Sequence, residues 1–324
     1  ILICENYNEN DYIFIDNNVY NIFINNNVYN LNINICKNIT LFNAIEDNKN
    51  IENVLILLDK LYEINFNKNN KLIVIGGGIT QDVGGFAASI YKRGINWIFI
   101  PTTILSMTDS CIGSKVSINR GSKNMLGLFG APNKIFISDY FLNSLSKHDI
   151  TSGIGEALKL SLIGGIQSYK YFLDQYNKKN YINIIKISSL IKKQLIEYDE
   201  FDENERRVLN YGHTIGHAIE SVSNYFIPHG IAVLIGMYVI NMLFYKDKHA
   251  NINQLILNMV DPIFFKINFD YDIFIKHLLS DKKNNGNDIC FILLEDIGKT
   301  KFLFKNLNEI YESLKEIIIS LFLI

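Results

Sequence analysis

Residues 71–89, KLIVIGGGITQDVGGFAAS, decide the fold class. An apolar, β-branched run from Leu72 to Ile75 meets three glycines, Gly76, Gly77 and Gly78, and then a Gly- and Ala-rich segment reaching Ser89. That order predicts a buried strand, a tight loop and a helix start, a crossover whose helix N-terminus offers backbone N–H groups to a phosphate. The glycine spacing is not the dinucleotide GxGxxG, so the loop alone identifies no ligand.

Working outward, NWIFIPTT (96–103) and KIFISDY (134–140) read as further strands, and IENVLILLDKLYE (51–63) as a helix. Residues 11–35 alternate polar and apolar positions, as strands do. Residues 1–147 are therefore expected to form an α/β domain with a parallel sheet. From Thr151 the periodicity turns helical, over 151–164, 181–198, 203–223 and 229–245, with ICFILL (289–294) as the one strong β signal. Residues 148–324 are expected to form a mainly α-helical domain. No long linker separates the two, which predicts close packing around a cleft.

The 324 residues, 48% of them hydrophobic, allow a large core and two domains. A net charge of −2 excludes a basic field that would recruit nucleic acid or an anionic membrane. Cys4, Cys36, Cys111 and Cys290 are scattered, which suits a reducing compartment and provides no disulfide framework. No apolar run is read as reaching the ~20 residues of a bilayer span. The apolar end, 308–324, carries Glu312, Lys315 and Glu316 and reads as a buried terminal helix. No cleavable signal is read at Ile1, so a soluble cytoplasmic protein is the expectation. Heavy use of Asn, Ile and Lys reads as a coding bias, so a surviving Gly, Pro, Ala or Arg carries more information than usual.

Asp202, Arg206, Asn210, His213 and His217 are spaced by 4, 4, 3 and 4 residues, which on one helix places them along one face. An acid, a guanidinium, an amide and two imidazoles make a poor core surface but a good wall for a polar, anionic ligand. His229 follows in PHG; neutral imidazoles with one carboxylate would form a metal site with an open position. The same spacing also describes a solvated helix face. In GIGEALKLS (153–161), Glu156 and Lys159 stand three apart: either a surface ion pair, or a carboxylate ligand beside a substrate-binding lysine. The segment TTILSMTDSCIGSKVSINRGSKNMLG (102–127) gathers Asp109, Lys115, Lys123 and Asn124 in a Gly- and Ser-rich region. It reads as a loop that builds no core, with cations suited to phosphate or pyrophosphate.

Taken together, residues 76–129, SGIGEALK, RRVLNYGHTIGHAIE, PHGIAVLIGM and SDKKNNG resemble, in order and spacing, the motifs of 3-dehydroquinate synthases among the sugar phosphate cyclases. The resemblance runs from about Asp16 to Gly298. It implies an NAD-binding N-terminal domain, a helical metal-binding C-terminal domain and a homodimer with its site in the interdomain cleft. It implies Glu156, His213 and His229 as ligands of one divalent metal, zinc or alternatively cobalt. Glu46 and Lys49 of EDNK are similar to an adenosine-contacting pair. Gly78, Ile79, Thr80, Gln81, Asp82, Thr102, Thr103, Lys115, Lys123, Phe141, Leu142, Asn143 and Ser144 match the other NAD contacts. Arg93, Asp109, Lys115, Asn124, Lys159, Lys192, Arg206 and Asn210 match the substrate pocket, with Lys283 added from DKK. His217 and Asp202 fall where the family handles protons, and Lys159, Arg206 and Asn210 complete the implied catalytic set.

The chain departs from the pattern at Asp202, where Glu is usual, at Gln81, where a glycine is usual and a side chain would crowd a pyrophosphate, and at Ser114. The loop from Lys115 to Lys123 is one residue short and the N-terminal end looks abbreviated. The implied reaction converts 3-deoxy-D-arabino-heptulosonate 7-phosphate to 3-dehydroquinate and phosphate, with NAD regenerated. The alternatives are an inosose or valiolone cyclase, a metal-dependent polyol dehydrogenase using NAD, or a degenerate NAD-binding protein without turnover.

Overall fold

Two apolar strands, each buried along its whole length, organise the first half of the chain: β3 (Leu72–Gly76) and β4 (Trp97–Pro101). The computed structural model describes residues 8, 10–25, 37–200, 205–280, 284 and 286–322. The chain divides into two units, Ile1–Leu145 and Ser146–Ile324. In chain order the first contains β1 (Tyr12–Asp16), α1 (Asn17–Asn25), β2 (Ile39–Phe42), α2 (Ile51–Glu63), β3, α3 (Gly78–Ile90), β4, β5 (Lys115–Arg120), β6 (Ser122–Phe129) and β7 (Lys134–Ile135). Five strands form a parallel sheet in the order β2-β1-β3-β4-β7. Continuous burial of β3 and β4 is what a parallel sheet covered on both faces requires. Val54, Leu57 and Leu61 of α2 and Val83, Phe86 and Ala87 of α3 share a core with Phe14, Val74 and Phe99.

Three expectations for this unit need correction. Residues 17–25 are helical, not extended, because the Asp16 carboxylate accepts the Asn18 N–H at 2.7 Å and turns the chain into α1. The rest of the alternating run falls outside the described residues. The segment 102–127 does build core: Ile104, Met107, Cys111, Val116 and Ile118 are buried. Val116 and Ile118 share one face of β5 by the two-residue period of a strand, and β5 pairs antiparallel with β6. The strand read over 134–140 is confined to the two residues of β7.

The second unit is mainly helical: α4 (Lys147–Ile163), α5 (Ile166–Asn177), α6 (Tyr181–Tyr198), α7 (His213–Val222), α8 (His229–Tyr245), α9 (Ala250–Met259), α10 (Tyr271–Leu279) and α11 (Leu307–Phe322). The predicted strand at 289–294 lies within β8 (Asp288–Asp296), which pairs antiparallel with β9 (Lys299–Asn306), a strand whose lysines hid it. The terminal helix α11 buries Leu307, Ile310, Leu314, Ile318 and Phe322. The stretch His229–Met259 is apolar enough by length and composition to cross a bilayer, against the sequence expectation. Its apolar window is 61% buried within the protein, and α8 buries residues all round, as a core helix does.

The single helix expected over 203–223 is instead two pieces. A 3₁₀ helix covers Glu205–Asn210, and α7 starts only at His213. Gly212 between them has φ +81°, a left-handed conformation that a side chain disfavours and that breaks the α-helical path.

Candidate functional site

Glu156 and His229 are brought together by a close helix crossing. Glu156 follows Gly155 on α4, and His229 precedes Gly230 at the start of α8. A Cβ on Gly230 would lie 1.8 Å from the Ser152 carbonyl oxygen, and one on Gly155 would lie 2.5 Å from the Gly230 oxygen. The Gly230 N–H donates to Ser152 Oγ at 3.0 Å. Any larger residue at either position would force α4 and α8 apart. His213 enters through the Gly212 turn, which starts α7.

Around this crossing Glu156 is fully buried. One carboxylate oxygen forms a close ion pair with the buried Lys159 ammonium. The other lies 3.4 Å from His213 Nε2 and 3.3 Å from His229 Nε2. One ligand atom from each of the three residues falls within 4.8 Å of the others. The Nδ1 atoms are engaged on the far sides: His213 Nδ1 with the Tyr211 carbonyl at 3.2 Å, and His229 Nδ1 with Glu220 Oε2 at 2.9 Å. Those contacts favour the Nδ1–H tautomers and leave both Nε2 lone pairs facing Glu156. The His217 ring lies 5.3 Å from that of His213 and 5.8 Å from that of His229, stacked on the latter.

Burial opposes charge on His229, but the Glu220 and Glu156 carboxylates outweigh it and raise its pKa to about 9, so a cation bound at Nε2 would take the place of a proton there. A buried carboxylate facing two oriented imidazole nitrogens is the donor set of a three-ligand metal site with an open position, and the residues fit a divalent ion.

Other residues of the second unit that the resemblance singles out are buried polar groups. Lys192 on α6 and Arg206 are almost fully buried. The Arg206 backbone N–H donates to Asp199 at 3.0 Å and its guanidinium to the Glu200 carbonyl. Asn210 donates to the Arg207 carbonyl at 3.0 Å. Asp202 and Lys283 lie outside the described residues. The interruption at Gly212 means that Arg206 and Asn210 do not continue the α7 stripe of His213 and His217.

In the first unit four of the candidates meet in one network. Lys49, buried, pairs with Asp82 and donates to Asn124 Oδ1 at 2.6 Å. Asp82 accepts the Ser117 N–H at 2.9 Å. Burial pushes the Asp82 carboxyl up, against the pull of Lys49. Glu46 accepts from Asn119 at 2.8 Å, and the Asn124 N–H donates to Asn119 Oδ1. Gly78, Ile79, Thr80 and Gln81 form the first turn of α3. The Thr102 N–H donates to the Gly76 carbonyl and Thr103 bonds Ser106, so both threonines line the end of the glycine loop.

Gln81 is turned inward, donating to the Ser110 carbonyl at 2.8 Å and accepting from Ser110 Oγ at 2.6 Å, so its amide is anchored in the core. Phe141, Leu142, Asn143 and Ser144 lie in a 3₁₀ turn, Asp139–Ser144. Arg93 sits at φ +64°, Asp109 in the helical turn Ser106–Ser110, Lys115 at the start of β5 and Lys123 on β6.

Glu220, Asn119 and Ser110 of these networks escape a sequence reading. The signal for Glu220 was present, since it stands three residues after His217 and seven after His213, on the same helix face. Asn119 had none, because its partners are 73 and 5 residues away.

The chain matches the 3-dehydroquinate synthase N-terminal model over residues 39–152 and the C-terminal model over 153–284. A 3-dehydroquinate synthase of Pelagibacter ubique is 39% identical, with 82% of this chain and 78% of that one aligned. Among solved structures, a 2-deoxy-scyllo-inosose synthase complexed with carbaglucose-6-phosphate, NAD+ and Co2+ superposes with a TM-score of 0.85 at 24% identity, covering 97% of this chain and 93% of that one. A 2-epi-5-epi-valiolone synthase from Streptomyces hygroscopicus with NAD+ and Zn2+ gives 0.80 at 19% identity, covering 96% and 91%. At those identities the two structures speak for the fold. With both halves matched in order and a relative at 39% identity, the chain belongs to the 3-dehydroquinate synthase family.

Proposed function

We propose that the chain converts 3-deoxy-D-arabino-heptulosonate 7-phosphate to 3-dehydroquinate and phosphate, a step of aromatic biosynthesis. The observation that carries this reading is the convergence of His213 and His229 on the buried Glu156 carboxylate in a chain of this family. These three would hold a divalent ion, for which the carboxylate and imidazole donors suit zinc, with cobalt as the alternative. NAD would be held by the glycine loop at Gly78 to Asp82, by Thr102 and Thr103, by Glu46 and Lys49, by Lys115 and Lys123, and by the turn from Phe141 to Ser144. When bound, the two groups supply Lewis acidity at a substrate oxygen and a reversible hydride acceptor.

The chain's own residues do the rest. Lys159, Lys192, Arg206 and Asn210, with Arg93, Asp109, Lys115, Asn124 and Lys283, hold the carboxylate, hydroxyls and phosphate of the substrate through charge-assisted hydrogen bonds. Lys159 also sets its positive charge against the buried Glu156 carboxylate. His217, one turn after His213, exchanges a proton with the substrate, with Asp202 as its acidic partner. Holding a flexible sugar in one reactive conformer supplies much of the acceleration. A cytoplasmic homodimer completes the reading, and the exposed Met125, Leu126 and Phe129 of β6 offer apolar surface that a second copy would cover.

The test is phosphate release from the heptulosonate phosphate with trace NAD. Many phosphates per NAD, without accumulation of NADH, are expected. NADH formed one-for-one with product would instead identify a polyol dehydrogenase. Release from other sugar phosphates alone would identify an inosose or valiolone cyclase.

A further inference from the structure

The site contains a carboxylate that the reading above leaves without a task. Glu220 sits on α7 with its side chain 4% exposed, and its Oε2 lies 2.9 Å from His229 Nδ1. His229 is thereby clamped between two acids from different helices, Glu156 of α4 on Nε2 and Glu220 of α7 on Nδ1. His213, by contrast, is oriented by a backbone carbonyl, that of Tyr211.

We infer that Glu220 is a positioning residue for the metal site: its carboxylate fixes the His229 tautomer and ring plane so that Nε2 is presented as a strong donor beside Glu156. The inference rests on the metal reading of Glu156, His213 and His229. The physical reason is general. An imidazole that donates its second N–H to a carboxylate is held in one orientation and becomes a more basic ligand than one that donates to a neutral carbonyl. His229 has particular need of such support, because it is the first residue of α8 and lacks a preceding helical turn to fix its ring. His217 and Glu220, with the Nδ1 side of His229, form a second cluster of potential ligand atoms within 4.8 Å. With Glu220 already bonded to Nδ1, this cluster is the outer support of one metal site, and its acid does not bind an ion of its own.

Metal content and dissociation constants for zinc and cobalt, measured by chelator competition on wild type, Glu220→Ala, Glu220→Gln and His229→Ala, test this. One metal per chain is expected in the wild type. Glu220→Ala weakens binding by roughly 10–100-fold. Glu220→Gln, whose amide oxygen still accepts the Nδ1–H but carries no charge, falls between the two. The visible absorption bands of the cobalt-loaded protein shift in Glu220→Ala. The melting temperatures of the metal-free proteins separate loss of fold from loss of affinity, and Glu220→Gln preserves side-chain volume if Glu220→Ala fails to fold. Unchanged affinity and spectrum in both Glu220 variants, with His229→Ala losing its metal, overturns the role of Glu220 alone. Two metals per chain, falling to one without Glu220, overturns it as well, since Glu220 would then be a ligand. Full metal retention in His229→Ala sinks the metal reading itself.

Discussion

Each unit buries a lysine against an acid, and the two pairs differ in what surrounds the acid. In the first unit, Asp82 is met by Lys49 and the Ser117 N–H, and Lys49 also holds Asn124. Both groups that meet the Asp82 carboxylate are donors, so its charge is answered within the fold. In the second unit, Glu156 is met by Lys159 on one side and by two imidazole Nε2 atoms on the other. Those nitrogens are lone-pair donors in their neutral tautomers, so they answer a carboxylate only when protonated or when a cation lies between. A buried acid ringed by N–H donors holds a structure together; one that shares its space with other potential ligands marks a cation site. Ion-pair geometry alone does not separate the cases, whereas the other groups that touch the acid do.

That contrast can be broken at several places. The largest effect is expected for His229→Ala: stoichiometric metal is lost and turnover with it, while the Lys49–Asp82 network is untouched. Metal analysis beside circular dichroism checks this, and full metal retention in a folded protein would remove the distinction drawn between the two pairs. Gly230→Ala comes next. A methyl placed 1.8 Å from the Ser152 carbonyl must push α8 off α4, destabilising by about 3 kcal/mol and loosening metal binding without changing any ligand. Denaturant melts and chelator competition should move together; an unaltered melt would mean that the crossing is looser than its glycines imply.

Asp82→Ala leaves the buried Lys49 without its acid. A loss of about 2 kcal/mol is expected, below the roughly 3–5 kcal/mol of a fully buried pair because Asp82 is 19% exposed. Metal content should not change, and the double variant Asp82→Ala with Lys49→Met should recover part of the loss. If metal content falls with Asp82, the two regions are not independent. The smallest effect is expected at Gln81. Gln81→Ala removes two hydrogen bonds to Ser110 and should cost about 1–2 kcal/mol by thermal unfolding. NAD affinity should stay within a few-fold, since the amide is turned inward; a large gain in affinity would mean that the side chain crowds the loop after all.

Much of this molecule was legible before any coordinates. The strand–glycine–helix passage at 71–89 and the fully apolar strands specify a parallel sheet, because only a sheet covered on both faces has use for unbroken apolar runs. The i, i+4 pair His213 and His217 and the i, i+3 pair Glu156 and Lys159 were readable because helical neighbours are set by local geometry. Other features were local but misread: the glycine that interrupts the supposed helix at 212, the cap at Asp16 that bends an alternating run into α1, and β9, masked by its lysines.

What the local pattern leaves open is which distant groups meet. Residue types and spacings nominated Glu156, His213 and His229, and family resemblance grouped them. Their common approach, however, depends on a helix crossing permitted by Gly155 and Gly230, a contact between residues 75 positions apart. The roles of Glu220 on His229, of Asn119 on Glu46 and of Ser110 on Gln81 belong to the same class. The reason is physical: periodicity encodes which face of an element is buried, but a hydrogen bond across elements is chosen by packing, which the chain specifies only when folded.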